Sequence, residues 1–300
     1  MHCHSKATIL LVSVAIVLGV GGFQSSFADL EDIRQRGVLR HLGVRYARFI
    51  TGSGDGLSAD LAKGFAADLG VAYHYVETSW DAVISDLTGK TYRRVDDRLE
   101  ITGDCEIKGD IIANGLTILP WRRQVINYST PTFPSGIWLI ARSDAPIQPI
   151  VPSGDILSDI AAVKALLKDR SVLCMPGTCL DPVLYDLGQT GARLVPLPLQ
   201  MNEFAPAVIN STAETSLLDV ADAMIAMEKW PGMIKVVGPI SEPQEMGFGF
   251  AQTDVELLKR FNRYLAQLRS DGRYQELVDH YYPGIRVYFE PFFRHYGRSD

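Results

Sequence analysis

Cysteine and histidine are scarce in this chain: 300 residues carry four cysteines and six histidines. They form no CxxC or HxxxH spacing, so nothing supports a metal site, and no cofactor is expected. Basic runs are missing as well. Acidic residues outnumber basic ones by 35 to 29, a formal charge of −6. A nucleic acid or an anionic membrane is therefore not the expected partner. Small molecules are the default. The long apolar stretch from Ala7 to Val20 follows Lys6 and precedes Gly21-Gly22 and Ser26-Phe27-Ala28. It is shorter than the ~20 residues a spanning helix needs, and a small-x-small cleavage site follows it. This reads as a secretory signal peptide over residues 1–28. Cys3 precedes the apolar core, the wrong side for the lipid-carrying cysteine of a lipoprotein.

Cleavage after Ala28 leaves 272 residues and a formal charge of −7. That length exceeds the ~250 residues at which single cores split, which predicts two lobes. Three cysteines remain, Cys105, Cys174 and Cys179. An odd count allows at most one internal disulfide, and Cys174 with Cys179 is the pair that an oxidising compartment could join.

Val38 to Val44 reads as a first strand, with Tyr46 just beyond its carboxyl end. Leu57, Leu61, Phe65 and Leu69 recur every four residues, one face of a helix closed by Gly70. A strand follows over Val71–Val76 and a helix over Trp80–Leu87. The alternation predicts mostly parallel sheets flanked by helices. Between Gly89 and Gly109, Leu99 and Ile101 alternate with polar neighbours and Gly103-Asp104 suggests a turn, so a small β-hairpin is expected.

One stretch organises the rest. Ile111–Ala113 is a short apolar strand ending at Asn114-Gly115, a turn pair. Beyond it come Thr117, and then Arg122 and Arg123 after Pro120, a residue suited to a first helical turn. A guanidinium grips a carboxylate through two parallel bonds, and a hydroxyl fills a remaining lone pair. Two arginines on a solvated helix remain the plainer reading. In the second half, Ser171–Cys174 and Arg193–Leu197 read as strands. Pro176-Gly177-Thr178 reads as a helix opening whose free N–H groups suit an anion. Asp219 ends a further strand, and Asp222 stands three residues later.

These segments, in order, resemble the family 3 extracellular solute-binding proteins, the periplasmic amino-acid-binding group whose fold also forms the sensor domain of membrane-bound lytic transglycosylase F. Gly56-Leu57-Ser58-Ala59-Asp60-Leu61-Ala62-Lys63 is similar to the family's "G-F-D-x-D-L-A-K", and Tyr46-Ala47-Arg48-Phe49 to its "Y-A-P-F". Asp110 to Arg122 resembles "D-A-I-x-S-S-L-S-I-T-x-x-R". Asn127 to Phe133 stands at "F-S-x-P-Y", Pro176 to Cys179 at "x-G-T-T", and Phe261 to Tyr282 at the closing helical motif.

The resemblance implies an α/β fold of the type II periplasmic binding class. Two lobes, each a mostly parallel sheet flanked by helices, join through a two-strand hinge near 138–142 and 240–250. Lobe 1 spans 29–141 with a hairpin insertion at 89–109, lobe 2 spans 142–240, and 241–300 returns to lobe 1. It implies a non-enzymatic periplasmic receptor, monomeric, that closes on an amino acid or related small carboxylate and serves an inner-membrane permease of the ABC type. Arg122 takes the ligand carboxylate and Asp219 its ammonium, with Asp222 the competing acid. Thr117, Asn114, Gly115, Thr178 and Cys179 supply further contacts, and Tyr46 and Trp80 sandwich the apolar part. Asn114-Gly115 and Cys179 depart from the family's serines and threonine, which leaves the ligand open. An enzyme similar to cyclohexadienyl dehydratase is the alternative, although no histidine falls in a binding loop; a sensor or accessory subunit is another. The short chain beyond Tyr282 argues against an attached transglycosylase or kinase.

Overall fold

The computed structural model describes residues 30–95, 98–197 and 200–297. The expected signal peptide and Cys3 lie outside the described residues. Strands β1 (Val38–Gly43), β2 (Ala72–Glu77), β3 (Lys90–Val95), β4 (Arg98–Asp104), β5 (Ile111–Ile112), β6 (Ile126–Tyr128) and β7 (Phe133–Ser135) come first. They are followed by β8 (Ile137–Arg142), β9 (Ser171–Cys174), β10 (Arg193–Pro196), β11 (Thr215–Asp219), β12 (Ile234–Pro239), β13 (Gln244–Met246) and β14 (Gly249–Ala251). The helices are α1 (Leu30–Arg36), α2 (Leu57–Leu69), α3 (Val83–Thr88), α4 (Ile156–Ala165), α5 (Phe204–Ile209), α6 (Val220–Lys229), α7 (Val255–Ser270), α8 (Arg273–Tyr281), α9 (Ile285–Tyr288) and α10 (Glu290–Tyr296).

Two five-stranded sheets result, ordered β2-β1-β5-β14-β6 and β10-β9-β11-β8-β12. In each, three neighbouring strands run parallel and the fourth runs against them. Parallel pairs need helical crossovers, and the helices supply the apolar faces that cover the sheets. Helix α2 buries Leu57, Leu61, Phe65 and Leu69 as its four-residue spacing predicts, and Gly70 ends it in the left-handed conformation. The fold is the expected type II arrangement of two sheet-rich lobes.

Three local expectations give way. Strand β8, expected to close lobe 1, lies between β11 and β12 in the second sheet. The crossing falls earlier, where β7 pairs antiparallel with β13 in a two-stranded ribbon. Nothing in an apolar strand such as Ile137–Arg142 says which sheet it joins. Gly103-Asp104 is no turn; the hairpin exists, but these residues pair with Thr91 and Lys90 inside the ladder. Pro176-Gly177-Thr178 opens no helix. A tight loop forms there, followed by two short 3-10 turns over Pro182–Tyr185 and Leu187–Gln189. All three cysteines of the described chain are free thiols, Cys105 exposed and Cys174 and Cys179 buried.

The core reaches the lobe junction as an aromatic cluster. Phe49, from the loop after β1, packs on Phe133 of β7 and Tyr282 beyond α8, with centroids 5.1 and 5.2 Å apart. His41 is fully buried between the Tyr73 hydroxyl and the Ala113 carbonyl, at 2.8 and 2.6 Å. Burial pushes its pKa down to about 4, so it is a neutral core group.

Candidate functional site

The carboxyl ends of the lobe 1 strands carry a set of buried polar atoms without hydrogen-bond partners. Asn114 follows β5 with 0 % exposure, and neither its amide oxygen nor its amide nitrogen is bonded. The Thr117 hydroxyl, the Tyr46 hydroxyl, the Trp121 indole nitrogen and Nε of Arg122 are likewise buried and unpartnered. Folded proteins pair nearly all such groups, so each orphan asks for an explanation. Gly115 shapes this loop: its φ is +71°, and a Cβ there would sit 2.5 Å from the Phe49 ring. Only glycine fits that turn without displacing the aromatic cluster.

Arg122 begins a short 3-10 turn, not a full helix. It is 3 % exposed, its Nη1 donates to the Thr117 carbonyl at 3.0 Å, and its guanidinium lies 5.0 Å from the centre of the Trp121 ring. Among the described residues no carboxylate pairs with it. Arg123, by contrast, is exposed.

Lobe 2 answers with acids. Asp219 ends β11 and caps α6, accepting from the Ala221 backbone N–H at 2.9 Å and from the Ser135 hydroxyl. It is 1 % exposed, and burial pushes its carboxyl up to about 7 despite those two bonds. Asp222, in the first turn of α6, is 5 % exposed. Burial, then the Asp219 charge, raises it to about 8. Two buried carboxylates near one another cannot both ionise cheaply.

The two halves meet at Cys179. Burial and then Asp219 push its thiol up to about 12, while Arg122 pulls it down. The Tyr46 phenol is likewise raised by burial and then by Asp219 and Asp222. Tyr46, Thr117 and Arg122 of lobe 1 thus share one electrostatic neighbourhood with Cys179, Asp219 and Asp222 of lobe 2.

Two expected contacts are placed otherwise. The Thr178 hydroxyl is spent inside its own loop, donating to the Met175 carbonyl at 2.8 Å and accepting from the Leu180 N–H at 3.0 Å. Tyr46 and Trp80 touch each other edge to face, at 5.6 Å and 81°. They form one aromatic wall instead of two facing plates. Sequence reasoning missed Ser135, which bonds Asp219, and Tyr185, whose hydroxyl donates to the Cys179 carbonyl at 2.6 Å. No local pattern marks either: Ser135 reaches Asp219 from 84 residues away, and the Tyr185 bond forms only once its 3-10 turn folds back on the Cys179 loop.

Fold and site together define a two-lobed protein of the type II periplasmic binding class. The model of the bacterial extracellular solute-binding proteins, family 3, matches residues 106–284, and the chain belongs to that family. It is 26 % identical over 293 residues to membrane-bound lytic murein transglycosylase F of Desulfosudis oleivorans, covering 94 % of this chain and 58 % of that protein. It is 24 % identical over 291 residues to the L-cystine-binding protein TcyJ of Escherichia coli, covering 94 % of this chain and 96 % of that one. An ancestral amino-acid-binding protein, AncCDT-1, described as a precursor of cyclohexadienyl dehydratase, superposes with a TM-score of 0.64. That structure is 25 % identical, and the match spans 84 % of this chain and 98 % of that one.

Proposed function

We propose that this protein is a periplasmic receptor, exported by a cleaved signal peptide, that captures an amino acid by clamshell closure and passes it to an inner-membrane permease. The observation that carries this reading is charge placement: an unpaired buried guanidinium, Arg122, lies in one lobe and two buried carboxyls, Asp219 and Asp222, lie in the other. A zwitterion answers both. Its carboxylate takes Arg122 with donors from Thr117 and the Asn114 amide, and its ammonium takes Asp219. Tyr46 and Trp80 offer an aromatic wall to the side chain. Closure then stabilises contacts that neither lobe makes alone.

The test is calorimetry on protein stripped by unfolding and refolding, titrated with the common amino acids and L-cystine. Mass spectrometry of the co-purified molecule identifies the native ligand. Removing one partner of a buried ion pair costs about 3–5 kcal/mol, so Arg122→Ala should weaken binding by at least a hundredfold. Undiminished affinity in that variant refutes the assignment.

A second reading rests on Asp222. A carboxyl raised to about 8 stays protonated at neutral pH and is a potential general acid. That suits elimination of a hydroxyl as water, the dehydratase chemistry named for the descendant of AncCDT-1. Incubation with prephenate and arogenate, followed by absorbance, decides it; no product leaves the receptor reading alone.

A further inference from the structure

The hairpin of β3 and β4 reaches the opposite lobe. Arg94, on β3, pairs through Nη1 with Oδ2 of Asp181 at 2.9 Å, with side chains 19 % and 7 % exposed. Asp181 is the organiser of the loop that carries Cys179. The same Oδ2 accepts from the Gly177 N–H at 3.1 Å, and Oδ1 accepts from the Val183 N–H at 3.0 Å, capping the 3-10 turn. Toward lobe 1, the Arg94 guanidinium lies 5.7 Å from the centre of the Trp121 ring, the ring that also contacts Arg122. One side chain therefore touches the wall of the carboxylate clamp and the loop facing it.

We infer that Arg94 is a positioning residue that latches the closed cleft, so that the hairpin acts as a clasp between the lobes and sets how readily a ligand leaves. The inference rests on the receptor reading for its purpose but not for its geometry. Asp181 belongs to lobe 2 and Arg94 to lobe 1, so opening must part them. Parting exposes Asp181 to water and leaves the guanidinium beside Trp121 without its carboxylate. Another cross-lobe pair, Arg48 with Glu228 at 2.6 Å, has Glu228 61 % exposed, and exposed pairs contribute little. Closure is therefore sensitive to Arg94 and nearly indifferent to Arg48.

Small-angle scattering and hydrogen exchange on the full-length mature protein, stripped of ligand, test this without knowledge of the ligand. Arg94→Gln should enlarge the radius of gyration and speed exchange of the amides of residues 177–181 about tenfold, a factor equal to ~1.4 kcal/mol. Arg94→Lys, which keeps the charge, should restore most of the protection. Arg93→Gln, which breaks an exposed pair with Glu100 on the same hairpin, should behave as wild type. Unchanged scattering and exchange in Arg94→Gln overturns the latch, whatever the protein binds. Equal change in Arg93→Gln overturns it too, by showing general loosening of the hairpin. Full binding by Arg122→Ala would instead refute the receptor reading and leave the latch standing.

Discussion

Asp222→Asn should stabilise the unliganded protein, and by an amount that depends on pH. Asp222 is 5 % exposed, and no hydrogen bond among the described residues reaches its carboxylate. Burial, then Asp219, holds its carboxyl near 8, against an ordinary value of 3.8; Lys229 pulls weakly the other way. Between those values the folded chain keeps a proton that the unfolded chain has released. Stability then falls as pH rises, by about 1.4 kcal/mol per unit for one proton. Four such units would give roughly 6 kcal/mol, an upper limit. Asp219 titrates in the same window, so the two share the penalty, and on the order of 2–4 kcal/mol belongs to removing one of them. Asparagine has the same shape and never ionises. Urea denaturation of ligand-stripped wild type and variant should show almost no difference at about pH 4, and a gap that widens to its full size above about pH 8. A gap of constant size, or a variant less stable than wild type at the alkaline end, would refute the assignment of Asp222 as a buried acid without a partner.

Gly115→Ala places a methyl group 2.5 Å from the Phe49 ring at a φ of +71°. A loss of about 2–4 kcal/mol is expected from strain and displaced packing, read by the same urea titration, and a loss below ~0.5 kcal/mol would contradict the loop geometry. Native thiol titration at mildly alkaline pH should find one fast cysteine, Cys105, because Cys174 and Cys179 are buried and burial raises both of their thiols. All should react in denaturant. Rapid modification of Cys179 in the folded protein would mean that the cleft stands open.

The two lobes and most strand positions were legible because they depend on local chemistry; Arg122 and Asp219, singled out from the sequence as candidate anchors, are both buried. Periodicity marks α2, an apolar run bounded by Asn114-Gly115 marks β5, and the resemblance to the family motif singles out Arg122 over Arg123. Burial separates those two arginines in the structure. What escaped depends on contacts distant in sequence. Strand β8 reads the same whichever sheet it joins. Thr178 looks like a free hydroxyl until its loop folds back onto Met175 and Leu180. The hairpin was visible as alternation, but its meeting with Asp181, 87 residues away, has no counterpart in any local pattern.

The distribution of charge also bears on the identity of the ligand. Asp219 and Asp222 are raised to about 7 and about 8, so near neutrality the cleft holds at least one proton on this pair. An ammonium group favours the ionised carboxylates, and its arrival lowers their pKa values and expels protons. Amino-acid affinity should therefore rise with pH through that window and level off above it. A carboxylate without an ammonium group gains nothing from an ionised Asp219; it meets Arg122 equally well while the acids stay neutral, and repulsion weakens it once they ionise. The two ligand classes thus differ in the sign of their pH dependence. That sign would be set by lobe 2 alone, although in the proposed receptor the carboxylate common to both classes meets Arg122 of lobe 1.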